Sequence, residues 1–366
     1  MKHNTSFTTA FLATLLGTVG ASAQAATDLG EHLTFSGFGT IGAVRSNTDQ
    51  AFFGQDRQPG GADTSVDFDV DSNLGFQLSG RANDWLSATV QALAIKRDED
   101  EIEMQPEWAF VKATPLPGLA VRVGRMPLPT FVVSDSRNVG YANTWLRAPN
   151  EVYGLSMLRR MQGADVTYRR SVGGIGLSAT ALYGDSGLFT MGMDLDANDV
   201  RGGSVQLEIE GLTARASRVV SDVEVGAGLP TERYSFTGYG VTFERGAVVA
   251  QAEYVQRRTG TYYNIVAANG WYLMGGYRFG TLTPYAIVSR TTPLFSATRP
   301  PMQLFTPLVS EEQATVALGA RWDAFDDAAF KLQVERVDTD GTYGISFSGP
   351  VSRPATVVSA ALVFTF

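Results

Sequence analysis

The chain has 366 residues, 44% of them hydrophobic and 18% charged, with 39 glycines, 21 phenylalanines and no cysteine. At about 150 residues per domain that length suggests two or three domains, with large β-barrels as an exception, and the composition is too apolar and aromatic for a disordered chain. The formal charge of −8, with 25 arginines against 4 lysines and no basic cluster, excludes a nucleic-acid partner, and two histidines, His3 and His32, starve most metal and triad chemistry, so no cofactor and no catalytic site is expected.

The first element is a leader. Met1-Lys2-His3 starts a weakly positive region, Phe11 to Val19 forms a short apolar run, and Ala21-Ser22-Ala23 and Ala23-Gln24-Ala25 both offer the small-x-small pattern of a cleavage site. The run is too short to span a bilayer, and no other apolar run approaches the roughly 18–20 residues that a spanning helix needs. With the later site taken, residues 1–25 are a signal peptide and residues 26–366 a single exported domain. Export permits disulfides, but there is no cysteine to form one, so another closed network must hold the fold.

The segments that follow alternate with period two. Asn73, Gln77 and Arg81 share one face of 72–81, and Leu74, Phe76 and Leu78 share the other; 205–210 and 330–335 repeat the pattern. That is the signature of a strand with one apolar and one polar face. About sixteen such strands are predicted, at 33–45, 72–81, 85–97, 103–114, 119–126, 160–170, 175–184, 202–210, 212–222, 234–244, 247–258, 270–280, 281–292, 314–323, 329–338 and 355–366. Most are about ten residues long, as a tilted strand needs in order to cross a bilayer.

Alternate links are short and rich in Gly, Pro, Asn or Asp, for example Ala82-Asn83-Asp84, Pro115 to Gly118 and Gly211. The turn near Gly280-Thr281 has no clear boundary. The intervening links are longer, which matches short periplasmic turns and long outer loops. Two of the long links are acidic, with Asp49, Asp56, Asp63, Asp67, Asp69 and Asp71 in the first and Asp98 to Glu101 in the second. Asp67, Asp69 and Asp71 start a calcium-loop spacing, but Ser72 stands where the glycine is needed, so a solvated acidic loop is the simpler reading.

Charge parity separates two groups of cations. Arg81, Arg122, Arg169, Arg215, Arg278 and Arg321 fall on the polar face of their strands; Lys112, Arg125, Arg170, Arg218 and Arg336 do not. An arginine on a lipid face at mid-bilayer costs about 2–4 kcal/mol, so the second group is expected near strand ends, where it can snorkel. Trp271, Tyr277, Phe279 and Trp322 fall near strand ends on the apolar face, where an aromatic girdle belongs. The longest connection is Pro127 through Arg159, and a loop of that length is usually functional.

In the last strand Val358, Ala360, Leu362, Phe364 and Phe366 alternate up to the terminal phenylalanine. A free apolar edge invites aggregation in a soluble protein but suits the lipid face of a closing strand. With the leader and sixteen strands, the chain resembles a Gram-negative outer-membrane porin: an all-β, antiparallel transmembrane barrel in the cell outer membrane. The resemblance implies a third outer loop folded into the lumen to set a constriction, with Asp135, Arg137, Arg147 and Glu151 as its charges and the six parity-matched arginines as the pore-lining wall. It also implies outer-membrane lipid and lipopolysaccharide as surroundings, small hydrophilic solutes as cargo, and a homotrimer. The chain lacks the acidic Pro-Glu-Phe-Gly-Gly stretch of the general porins.

Three readings remain open at this point. A diffusion channel is the first, and a channel selective for anions or small organic acids is the second. An outer-membrane hydrolase or adhesin barrel is the third, although His32 stands at the mature N-terminus before the first strand, and the paired acids Asp98 and Asp100 sit in a loop with no recognisable nucleophile.

Overall fold

The computed structural model describes residues 26–55, 58, 60–97, 101–190, 193–225, 231–259, 267–294, 312–340 and 344–366. The expected leader and cleavage site lie outside the described residues, as do Asp56, Asp98, Glu99 and Asp100. Among the described residues seventeen strands run in chain order. The first six are β1 (Ala26–Gly30), β2 (Leu33–Ser46), β3 (Asn73–Asn83), β4 (Leu86–Lys96), β5 (Ile102–Leu116) and β6 (Leu119–Pro127). The next six are β7 (Arg160–Val172), β8 (Ile175–Thr190), β9 (Met193–Ile209), β10 (Leu212–Val225), β11 (Glu232–Arg245) and β12 (Val248–Arg258). The last five are β13 (Ala268–Tyr277), β14 (Leu282–Pro293), β15 (Gln313–Trp322), β16 (Ala328–Asp338) and β17 (Ala355–Thr365). Among the described residues a 3-10 turn (Gly140–Ala142) and a short α-helix, α1 (Asn150–Tyr153), lie between β6 and β7.

Each strand from β2 to β17 pairs antiparallel with the next, and β17 pairs with β2 from Val357↔Ser46 to Thr365↔Phe38. The sheet is thus a closed sixteen-stranded barrel, and all sixteen predicted spans fall on its strands. Closure leaves no unpaired edge, which is how the fold holds without disulfides. The extra strand, β1, pairs with the start of β2 (Ala26↔Ser36) just beyond the point where β17 ends, so it prolongs the line of the last strand.

Alternation decides what faces out. In β17 Val358 is 50% exposed, while Val357, Ser359 and Val363 between the outward residues are buried. The terminal rings need β2 to be smooth: a Cβ at Gly37 would sit 2.2 Å from the Phe366 ring, and one at Gly39 would sit 2.5 Å from the Phe364 ring. Trp271, Tyr277, Phe279 and Trp322 are all exposed on the outer face, with the Tyr277 and Phe279 rings 4.7 Å apart.

Three departures from the sequence reading have local causes. β8 and β9 extend well past the expected 184 and 202, because Leu195 and Ala197 are buried in alternation and, across a register shift at Asp199 (φ +52), Val200 is buried again. The indistinct turn resolves into a tight reversal at Gly280 (φ +62), with Phe279 and Leu282 bridged. The third correction concerns Lys112, expected off the polar face. A bulge in β5 opposite Gln91/Ala92 adds a residue and shifts the parity, so Lys112 pairs directly with the lumen-facing Arg122.

Candidate functional site

Residues 128–159, the third outer loop (L3), do not stand outside the barrel. They cross its lumen and divide the wall into two unlike sides. The lumen-facing side chains of β14 to β17 are stripped of water: Thr283, Lys331, Gln333 and Ser359 are each 4% exposed or less. On β3 to β10 the lumenal row nearer the short turns keeps contact with it, from the exposed Arg81 and Arg169 to the half-buried Lys112, Gln206 and Arg215, while Gln91, Arg122, Asp165 and Ser204 are buried.

On the packed side, aromatic burial seats the loop. Phe131 stacks on Tyr153 at 4.3 Å and meets Phe236 of β11 edge-on at 5.5 Å, while Trp145 and Tyr272 close the group. A Cβ at Gly270 of β13 would lie 2.0 Å from the Glu151 carbonyl, so only glycine admits α1 this close to the wall.

Polar contacts then fix the loop's position. The Glu151 carboxylate accepts hydrogen bonds from Gln313 (2.7 Å) and from the Thr315 hydroxyl, and its carbonyl accepts one from Thr291 (2.6 Å). Glu253 of β12 accepts from Tyr153, Tyr272 (3.0 Å) and the Val132 amide (2.8 Å). Burial, then the neighbouring Glu253 charge, raises the Tyr153 hydroxyl well above its ordinary pKa and keeps it a donor.

Two cations hold the loop backbone at residues 140–145. Lys331 of β16, 1% exposed, donates to the carbonyls of Gly140 (2.7 Å), Asn143 (2.5 Å) and Trp145 (2.8 Å). Arg321 donates to the carbonyls of Tyr141 (2.6 Å) and Asn143 (3.0 Å), pairs with Asp323 at 2.8 Å, and lies over the Tyr141 ring. A carbonyl cradle suits a buried cation because each lone pair replaces a lost water.

Arg147 ties three parts of the chain together. It pairs with Asp71 of the first loop (2.5 Å) and with Glu335 of β16, donates to Ser359 of β17 (2.9 Å), and lies 4.7 Å over the Phe53 ring. Burial alone would lower its pKa, but Asp71 and Glu335 outweigh that and raise it, so it stays a cation. Asp71 is 7% exposed and engaged with Arg147, whereas Asp67 accepts from the amides of Asp69 (2.8 Å) and Val70 (2.9 Å) within a turn. Among the described residues no group of three or more acids or histidines could hold a metal ion.

The open side is lined in register. Arg81, Ser87, Lys112, Arg122 and Asp165 form one cross-strand row over β3 to β7. Arg169, Ser178, Gln206 and Arg215 form a second over β7 to β10. Arg122 pairs with Asp165 (Nε to Oδ1 3.1 Å) and Arg215 donates to Ser204 (3.2 Å). From the loop, Arg137 stands 5.4 Å over the Tyr153 ring, and Asp135 lies within the electrostatic reach of Arg122 and Arg215. Glu208 ends the second strand group near the short turns and accepts from Gln206 (2.6 Å). Arg278 sits apart at the short-turn end, paired with Glu244 at 2.6 Å.

The expected site residues therefore separate. Asp135 lies near Arg122 and Arg215 on the open side, where Arg81 and Arg169 stand in register on the wall, and Arg137 lies over the Phe131 and Tyr153 rings, whereas Arg147, Glu151 and Arg321 are engaged in holding the loop. Sequence reasoning missed Lys331, Glu253, Glu335, Asp165 and Lys112. The first four lie on the polar parity of their own strands, a signal that was present for acids as well as arginines; Lys112 was hidden by the bulge.

A family model described as Gram-negative porin matches residues 8–344. No curated protein matches the sequence. Among solved structures, the outer membrane channel DcaP of Acinetobacter baumannii aligns with a TM-score of 0.61 at 11% identity, covering 91% of this chain and 97% of that one. The anion-selective porin from Comamonas acidovorans aligns at 0.59 and 12%, covering 91% and 99%. OmpT of Vibrio cholerae, in its trimer form, aligns at 0.56 and 14%, covering 92% and 100%. At these identities the likeness is one of fold.

Proposed function

The chain belongs to the Gram-negative porin family, and from that premise we propose that solutes pass between L3 and the wall of β3 to β10, with Asp135 and Arg137 forming the loop side of the constriction. The protein is an outer-membrane β-barrel that forms a water-filled channel for passive diffusion of small hydrophilic solutes and ions. Family and fold point to a channel rather than an enzyme.

The observation that carries the proposed route is the contrast in exposure: lumenal side chains of β14 to β17 are buried under the loop, while Arg81 and Arg169 remain exposed. In this reading Arg147 and Glu151 set the width of the passage by fixing the loop, without facing the solute.

A second reading, selectivity for anions or small organic acids, is favoured by the charges along that wall. Arg81, Lys112, Arg122, Arg169 and Arg215, with Arg137 opposite, outnumber the carboxylates of Asp135, Asp165 and Glu208. Across about 4 Å of water one charge contributes about 1 kcal/mol, roughly fivefold, so the wall biases a sieve and does not make a tight site. The planar guanidinium fork suits carboxylate or phosphate groups. We also propose a homotrimer, in keeping with the trimer form of the OmpT neighbour.

Single-channel conductance and reversal potential of the purified protein in a planar bilayer under a salt gradient test the reading. A conducting channel with a modest anion preference is expected. A cation preference would discard the anion bias, and a reversal potential insensitive to Arg169→Ala would discard the route.

A further inference from the structure

The contact between L3 and the wall of β14 to β16 leaves a small hole that the hydrogen bonds of the loop do not fill. Its volume is about 10 Å³, the space of a single water, and its polar lining includes Glu151 of α1, Ser289 of β14, Gln313 and Thr315 of β15, and Glu335 of β16. Ser289 lies on the inward parity of β14 between Ile287 and Thr291, is 4% exposed, and its hydroxyl has no hydrogen-bond partner. Both donors that reach the Glu151 carboxylate go to the same oxygen, Oε1, and among the described residues none reaches Oε2.

Charge around that hole is unbalanced. The groups that act electrostatically on Glu335 are the Arg147 guanidinium and the carboxylates of Glu151 and Asp71, so three carboxylates, Glu335 included, face one cation. All four side chains are buried: Asp71, Arg147, Glu151 and Glu335 are 7%, 3%, 2% and 8% exposed. A buried charge persists only when it is paired, and neutral donors such as Gln313, Thr315 and Gln333 soften a carboxylate without cancelling it. A water in the hole would satisfy Ser289 and leave the charge as it is.

A lining of carboxylate and hydroxyl oxygens suits a hard cation. Calcium takes about six to eight oxygens and magnesium keeps several of its waters, and a hole of one water's volume beside two carboxylates accommodates neither shell. We propose that this hole binds one dehydrated, sodium-sized monovalent cation between the Glu151 and Glu335 carboxylates, with the Ser289 and Thr315 hydroxyls as neutral ligands. The ion then joins α1 of the loop to three strands of the wall, and works beside Arg147 as a second lock on L3. The inference uses only the seating of L3 on its packed side and is independent of where solutes pass.

Amide hydrogen exchange over residues 140–155 of the purified barrel in detergent reads the loop, in sodium chloride and in choline chloride of equal ionic strength. Sodium at about ten times its dissociation constant is expected to slow that exchange about tenfold, and choline, too large for the hole, to leave it fast. Ser289→Ala removes a ligand whose hydroxyl has no partner in the protein, so exchange in choline stays as in the parent while the sodium effect shrinks several-fold. Glu151→Gln removes one charge and keeps the Oε1 acceptor, so its exchange in choline is as slow as that of the parent in sodium and no longer responds to the salt. Equal exchange of the parent in both salts, the mark of a water or a shared proton in the hole, overturns the proposal. A sodium effect that survives Ser289→Ala in full does so too, as does one that calcium reproduces at far lower concentration, which would assign the hole to a divalent ion. None of these outcomes bears on conductance, so a failure here is separable from a failure of the channel reading.

Discussion

Arg147 and Arg169 carry the same side chain into the same lumen and do opposite work. On the packed side Arg147 meets Asp71, Glu335 and Ser359 and is 3% exposed; on the open side Arg169 pairs in register with Ser178 and keeps its water. A buried guanidinium is tolerable only when carboxylates and hydroxyls replace its hydration, and such a group then fixes geometry. A hydrated one fixes little and acts on passing charge. The two sides of L3 thus divide the labour of one channel, with position set on one and preference set on the other.

Breaking the packed side has the largest consequence. Arg147→Ala leaves Asp71 and Glu335 buried without their cation, a loss of about 3–5 kcal/mol. It is expected to lower the urea midpoint of the folded barrel and to add current noise as the loop loosens. A variant as stable and as quiet as the original would show that the ion pairs do not hold the loop.

Lys331→Met comes next, because three backbone carbonyls lose a charged donor at about 1.5–3 kcal/mol for a hydrogen bond of that kind. Protease access to residues 140–145 measures it; protection equal to that of the parent would remove the clamp. Gly270→Ala pushes a Cβ into the Glu151 carbonyl, and such overpacking costs about 1–3 kcal/mol. Here a narrower or noisier conductance is the expected sign, and unchanged conductance would mean that α1 is not seated by that contact.

The smallest effect on stability belongs to the open side. Arg169→Ala with Arg215→Ala is expected to cost no more than about 1 kcal/mol, since Arg169 is exposed and Arg215 gives up one hydrogen bond, to Ser204, and yet to reduce anion preference several-fold.

The barrel was legible because period-two alternation is a local signal, and closure follows once sixteen such strands alternate short and long links. The outward face of β17 and the girdle residues came from the same signal. The division of the site did not, since whether Arg147 or Arg169 faces water depends on where a thirty-residue loop lies, and no local pattern encodes that. Arg147 finds Asp71 and Glu335 from 76 and 188 positions away. Lys112 failed for a smaller reason: one bulged residue inverted its face. Glu253 and Lys331 were readable as inward-facing by parity, but their roles depend on loop atoms that only the fold supplies.

The most direct measurement compares reversal potentials in a planar bilayer, under one salt gradient, for the parent, for Arg169→Ala with Arg215→Ala, and for Lys331→Met. If solutes run along β3 to β10, the double variant moves toward cation selectivity while Lys331→Met leaves the sign of the potential where it was. A double variant with the parent's potential, or a Lys331→Met channel whose selectivity inverts, would place the passage on the other side of the loop.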